Sequence, residues 1–229
     1  MIKIITLVIV LNVNFLYAGA PPVDDKPLPP PPYSINNVKL ITTKVLWKEE
    51  NLKNFLPTSY AYDKDLKGGL TVFSSKKKQA YYPASGAFAW ITLQNNDKLI
   101  FFSTYGKNKL IYRIMKRTYV SKVELGSNKV VIMNGNVNAR TNIRKKNVIT
   151  ITAKVKDKCE PTESSVVYSS KATKRVVYSP INMVSKKSCE ADVNNIKFES
   201  ILQGLNVSKV LETKVYDDAN ISYLAPKLK

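Results

Sequence analysis

The chain has 229 residues, contains no histidine and carries a formal net charge of +19. Without histidine it cannot form a Ser-His-Asp triad, a Cys-His pair or a His-ligated zinc or haem site, and two cysteines are too few for a four-thiolate metal site. The composition therefore argues against most enzyme chemistries, and we predict a non-enzymatic protein without a cofactor or a metal site. Catalysis by carboxylates is the one enzymatic class that stays open.

Residues 1–18 have the pattern of an export signal. Lys3 supplies a positive charge, Ile4 to Leu16 form a short apolar stretch, and Ala18 is a suitable residue before a cleavage site. The stretch is short and polar for a membrane span. We therefore predict a cleaved signal peptide and a periplasmic or secreted protein, with an uncleaved anchor as the alternative.

Residues 19–36 are predicted to be a proline-rich linker. The run PPVDDKPLPPPP contains seven of the twelve prolines, and such a run favours the extended polyproline II conformation. It is typical of a semi-rigid spacer, and docking into an aromatic groove on a partner is the alternative.

Residues 37–229 are predicted to form one β-rich domain, and a division near residue 156 into a meander and a disulfide-containing C-terminal part stays open. A strand pattern starts at Val38, where Ile41, Thr43, Val45 and Trp47 share one face. Residues 48–68 are mixed in pattern and end at Gly68-Gly69.

Residues 88–155 indicate a meander of short strands separated by turn residues. Asn134-Gly135 is a strong hairpin signal, and apolar residues alternate with polar ones in the two strand segments that follow it. The inward positions are predicted to be Val137, Ala139, Thr141, Ile143, Ile149, Ile151, Ala153 and Val155. This alternation predicts an antiparallel sheet with one face in water, arranged as a sandwich or as a barrel-like meander.

Two cysteines in an exported chain predict one disulfide, Cys159–Cys189, with two unpaired thiols as the alternative. The repeated sequence VVYS, at 166–169 and 176–179, lies between them. We therefore expect a hairpin that the disulfide holds together near its base.

The C-terminal region predicts one helix and one strand. Asn194 or Asn195 is a candidate helix cap, and apolar residues recur near helical spacing from Ile196 to Gly204. Residues 207–216 then have the pattern of a strand, and residues 217–229 that of a polar tail.

Basic residues concentrate in the meander. A basic sheet face beside tyrosines can follow a phosphate backbone, and a solvated surface is the alternative reading. The residues of this predicted basic face are Arg113, Arg117, Lys122, Arg140, Arg144, Lys145, Lys146 and Lys154.

Residues 214–223 contain the string Lys214-Val215-Tyr216-Asp217-Asp218 followed by Tyr223. This string resembles the signature of a subunit family of type IV secretion channels, although Ala219 stands where that family has glycine. The resemblance implies a periplasmic β-sandwich protein.

We predict an exported, non-enzymatic component of a bacterial envelope machine, with other envelope proteins as partners and no small-molecule substrate. The alternative is a secreted basic protein that recognises an acidic ligand on a cell surface, since strong positive charge attracts polyanions.

Overall fold

A computed structural model of the chain describes residues 31–56, 60–76, 85–106, 115, 123–172 and 175–228. The predicted signal peptide and most of the predicted linker lie outside these ranges. The strands within them are β1 (Tyr33–Trp47), β2 (Lys67–Ser75), β3 (Ser85–Thr92), β4 (Lys98–Tyr105), β5 (Glu124–Met133), β6 (Asn136–Ile143), β7 (Lys146–Ala172), β8 (Arg175–Phe198), β9 (Val207–Tyr223) and β10 (Lys227–Leu228). Two single 3₁₀ turns, Leu52–Asn54 and Ser200–Leu202, also occur. In the described part of the chain, no helix is long and apolar enough to cross a membrane.

Seven of the strands close into a ring. Strands β9, β1, β2, β3 and β4 are antiparallel neighbours in that order, and β7, β8 and β9 are also antiparallel neighbours. The ring is closed where β4 meets β7 in parallel, through the pairs Lys98–Tyr168 and Leu99–Ser169. Strands β5 and β6 lie outside the ring, between the far ends of β4 and β7.

This topology creates two cores, because β1 to β4 are covered on both faces. On β1, Ile41, Val45 and Trp47 belong to one cluster, which extends to β5, β6 and the first half of β7. Leu40 points to the opposite face and belongs to a second cluster inside the ring. Strands buried on both faces have near-continuous apolar sequences, as Leu70–Phe73 and Leu99–Phe102 do.

The predicted mainly β, mostly antiparallel architecture is confirmed. Asn134-Gly135 forms the turn between β5 and β6, and both residues have positive φ, 50° and 74°, as a tight hairpin of this type requires. The predicted inward face of β6 is buried.

The predicted C-terminal helix is wrong. Ile196 and Phe198 belong to β8, where they pair with Ile151 and Ile149 of β7, and Ser200–Leu202 form only a single 3₁₀ turn. The helical spacing of the apolar residues is a weak local signal, and pairing along a long neighbouring strand overrides it.

Strands β1 and β9 are longer than predicted. β1 begins at Tyr33, because Asn37 adopts a positive φ of 56° and introduces a register shift that lets the chain pair with β9 on both sides of it. β9 continues to Tyr223, so the predicted polar tail from residue 217 is wrong for its first part. Ala219, Ile221 and Tyr223 are buried there.

The predicted disulfide is present. Cys159 of β7 pairs directly with Cys189 of β8. The bond does not lie near the base of the hairpin, because the β7–β8 ladder continues on both sides of it, from Ile149–Phe198 to Ala172–Arg175. It therefore connects the two strands that border both cores.

We expect the Cys159→Ala/Cys189→Ala variant to lose about 2–5 kcal/mol of unfolding free energy, because the disulfide restricts the unfolded chain over a separation of 30 residues. Urea denaturation measures the loss. A reducing agent should lower the urea midpoint of the unmodified protein and leave that of the variant unchanged. Equal urea midpoints for the variant and the unsubstituted protein, both measured without a reducing agent, would contradict the prediction.

Candidate active site

The ring encloses a cavity of about 250 Å³, to which all seven of its strands contribute side chains. Along β1, and along β9 from Glu212 to Tyr216, the lining residues follow every second position, as the alternation of a strand requires. Its lining consists of Leu40, Thr42, Lys44, Thr71, Phe73, Phe88, Trp90, Lys98, Thr162, Ser164, Val166, Tyr168, Ile181, Met183, Glu212, Lys214, Tyr216, Ile221 and Tyr223.

One end of the cavity is closed and the other is open. At the closed end Phe73, Ile221 and Tyr223 are buried, and Tyr223 hydrogen-bonds to the fully buried Tyr105. At the open end the side chains of Lys44 and Lys214 are 57% and 37% exposed. A ligand can therefore enter from the charged end.

Three charged residues surround the opening. The Glu212 carboxylate forms an ion pair with Lys44 Nζ at 2.5 Å and a second one with Lys214 Nζ at 3.4 Å. The hydrogen bond from Lys44 is the main reason why the pKa of Glu212 lies below its usual range, and Lys214 adds to the effect. Glu212 is therefore ionised at neutral pH, and this group of three residues retains one net positive charge.

Lys98 has a different environment. It is the first residue of β4 and is partly buried at the junction with β7. Its Nζ lies 5.2 Å from the ring centre of Trp90 and 5.9 Å from that of Tyr168. No carboxylate in the described part of the chain forms a salt bridge with it.

Burial is the main cause that lowers the pKa of Lys98, and the positive charge of Lys44 lowers it further. Desolvation and a like charge both disfavour the ammonium form. A lysine with a lowered pKa exposes a neutral amine at a pH where other lysines are protonated, and it is then a nucleophile.

Trp90 has an unused donor. Its indole Nε1 is buried and has no hydrogen-bond partner among the described residues, although its backbone carbonyl accepts a hydrogen bond from Trp47 Nε1 at 3.1 Å. Buried donors are nearly always paired in native proteins. Trp90 contributes to the cavity wall, so this unpaired N–H group lies close behind the surface that a ligand would contact.

Two tyrosines of the lining keep their protons. Burial raises the pKa of Tyr168 and of Tyr216 above the ordinary value for tyrosine, although in Tyr216 a hydrogen bond with Ser188 opposes this effect. Both side chains therefore carry neutral hydroxyl groups at physiological pH.

Gly69 permits the position of the Trp90 ring. It lies opposite Lys44 on β1 and opposite Trp90 on β3. A Cβ atom at this position would lie 2.6 Å from Cζ2 of the indole and 2.7 Å from the Thr43 carbonyl oxygen. Only glycine leaves room for the ring to cross β2 there.

The predicted basic face lies apart from this cavity. Arg140, Arg144, Lys145, Lys146 and Lys154 are exposed on β6, on the turn after it and on β7, and none of them lines the cavity. Arg113, Arg117 and Lys122 lie outside the described residues.

The residues that line the cavity were not predicted as a site from the sequence. One signal for them is available in the sequence, because β2, β3 and β4 are nearly continuous apolar runs and such runs indicate strands that are covered on both faces. Lys98 stands at the start of one of these runs, directly after the turn 94–97.

No family model matches the chain, and no curated protein is significantly similar to it in sequence. Solved structures share its fold. The enduracididine biosynthesis enzyme MppR complexed with pyruvate has a TM-score of 0.64 at 10% identity, and the match covers 90% of this chain and 93% of the enzyme. An acetoacetate decarboxylase has a TM-score of 0.63 at 11% identity, covering 88% and 90%. The acetoacetate decarboxylase of Legionella pneumophila has a TM-score of 0.61 at 9% identity, covering 88% of each chain.

These structures correct the functional prediction. At such low identity they show a common fold, and this fold is one that enzymes use over nearly the whole chain. The prediction of a non-enzymatic envelope component of a secretion or pilus machine is therefore wrong. The secreted polyanion-binding protein that we offered as its alternative is abandoned with it.

We expect Gly69→Ala to displace the Trp90 ring and to lower the unfolding free energy by about 1–3 kcal/mol, because the new methyl group has no space. Tryptophan fluorescence and urea denaturation measure the two effects. Gly135→Ala is the control, since nothing lies within 4 Å of its Cβ position and only the strain of its positive φ is added. An unchanged emission spectrum for Gly69→Ala would contradict this prediction.

Proposed function

We propose that the chain is an enzyme that binds a small carbonyl compound in the cavity and forms a Schiff base with it through Lys98. The observation that carries the proposal is the position of the Lys98 amine, which is partly buried between two aromatic rings and next to a second lysine. Lysines activated by desolvation or by a nearby cation form covalent intermediates with carbonyl substrates.

The lone pair of the neutral Lys98 amine attacks the carbonyl carbon, and the carbonyl oxygen takes up a proton to give a carbinolamine. Loss of water then gives a protonated imine. This cation accepts the electron pair of a neighbouring C–C or C–H bond when that bond breaks, which gives an enamine and releases carbon dioxide or a proton. Protonation of the enamine carbon restores an iminium ion, and water hydrolyses this ion to the product carbonyl compound and the free amine.

Other residues of the cavity would assist this reaction. The unpaired Trp90 indole N–H would donate to an oxygen of the substrate or of the carbinolamine after a small rotation of the ring towards the cavity. Tyr168 is the register partner of Lys98 at the β4–β7 junction. Its phenol keeps its proton because burial raises its pKa. The aromatic walls limit access of water, which strengthens electrostatic interactions in the site.

The similar structures support the class of substrate. One of them contains bound pyruvate, and two are acetoacetate decarboxylases. Both names refer to oxo acids, whose carbonyl groups react with amines. The proposal departs from our expectation that the protein has no small-molecule substrate.

We further propose that the enzyme acts outside the cytoplasm, as the predicted signal peptide implies. The disulfide Cys159–Cys189 supports this location, because disulfides persist in oxidising compartments.

Incubation with pyruvate and sodium borohydride should attach one reduced adduct to Lys98, since borohydride reduces the imine to a stable secondary amine. Peptide mass mapping locates the adduct. We expect Lys98→Met to abolish it and Lys129→Met, which removes an exposed lysine of β5, to leave it unchanged. Adducts spread over surface lysines, with none at Lys98, would refute the proposed function.

The rate of adduct formation should rise with pH around a midpoint below the ordinary lysine value of 10.5, because only the neutral amine attacks. Lys44→Gln should move this midpoint upward. The substitution removes the like charge and also takes from Glu212 its nearest cation, and both changes favour the protonated form of Lys98.

Lys53→Gln is the matched control for this pH profile, because Lys53 forms an exposed ion pair with Glu49 that is remote from the cavity. Its midpoint should equal that of the unmodified protein. An unchanged midpoint for Lys44→Gln would show that Lys44 does not act on the amine.

A further inference from the structure

We infer that the substrate is an amphipathic oxo acid, with its carboxylate at the open end of the cavity and an apolar chain in the closed end. This inference rests on the proposed function of Lys98 and adds to it the class of substrate. It is carried by the order in which charged, polar and apolar side chains follow one another along the cavity wall.

The order is visible where β1 pairs with β9. Three successive inward-facing pairs are Lys44–Glu212, Thr42–Lys214 and Leu40–Tyr216. These positions span about 13 Å, at roughly 3.3 Å per residue of strand. The wall thus changes from charged to apolar within the length of one small molecule.

The open end selects a negative charge. Among the salt bridges of the described residues, Lys44 and Lys214 share the carboxylate of Glu212, and Glu190, which lies opposite Lys214 on β8, forms none with it, so two ammonium groups share one bound carboxylate at this opening. The carboxylate of a ligand would complete the pairing. A neutral carbonyl compound would gain nothing there.

The closed end selects an apolar group. Phe73 and Ile221 present only carbon atoms, and the hydroxyl groups of Tyr216 and Tyr223 are hydrogen-bonded to Ser188 and Tyr105. A polar chain placed there would lose its hydrogen bonds to water and find few new ones, which is unfavourable. An alkyl chain would lose nothing and would bury apolar surface.

Titration calorimetry with pyruvate, 2-oxooctanoate and 2-octanone tests this inference on the full protein. We expect 2-oxooctanoate to bind at least tenfold more tightly than pyruvate, because each buried methylene contributes up to about fourfold. We also expect it to bind more tightly than 2-octanone, which has a similar chain and no carboxylate. Equal affinity for the two acids would overturn the inference.

Two variants locate the two ends of the substrate. Lys214→Gln should weaken 2-oxooctanoate about tenfold and leave 2-octanone unchanged, and Lys129→Gln should affect neither. Met183→Trp, which fills part of the apolar wall, should weaken 2-oxooctanoate and leave pyruvate unchanged. The opposite pattern in either variant would refute the orientation that we infer.

The experiments distinguish failure of the amphipathic substrate from failure of the Schiff-base proposal. If borohydride traps pyruvate on Lys98 and chain length has no effect on affinity, the Schiff-base proposal stands and the amphipathic substrate is refuted. If no adduct forms, octanoate, which has no reactive carbonyl group, still probes the cavity. Tight binding of octanoate that weakens in Lys214→Gln would then support the amphipathic site alone.

Discussion

The junction between β4 and β7 is the constraint on which the site depends. Two residue pairs join these strands in parallel, and Ser169 Oγ adds a hydrogen bond to the Lys98 carbonyl oxygen at 3.2 Å. Without this contact β4 and β7 would be linked only through β5 and β6, and the seven-stranded ring around the cavity would be open between them. The junction also places the Lys98 side chain beside Tyr168, so closure of the ring and desolvation of the amine have the same origin.

Desolvation at this position has opposite effects on stability and on reactivity. Burying an ammonium group beside a second cation is unfavourable, and contacts with the faces of Trp90 and Tyr168 offset only part of the cost. The same cost makes the neutral amine available at a lower pH. Glu212 limits the repulsion, because its carboxylate pairs with Lys44 and Lys214 and not with Lys98.

Sequence patterns were informative wherever a contact is local or repeats along one strand. The alternation in β6 and the Asn134-Gly135 turn follow from neighbouring residues alone, and both were predicted correctly. The helix after Asn194 was wrong because Ile196 and Phe198 obtain their partners from β7. The role of Lys98 was not predicted for the same reason. Its burial and its lowered pKa depend on Lys44, Trp90 and Tyr168, which come from three other strands.

The long hairpin of β7 and β8 has a consequence for how the protein opens. These strands border both cores, and β6 pairs with β7 at eight positions, whereas β5 pairs with β4 at only two. Strands with few long-range pairings exchange their amide protons through local fluctuations, and strands shared by two cores exchange only when the whole domain unfolds. Local opening is thus expected where β5 meets β4, while β6 stays paired with β7 and the ring, with the cavity within it, stays intact.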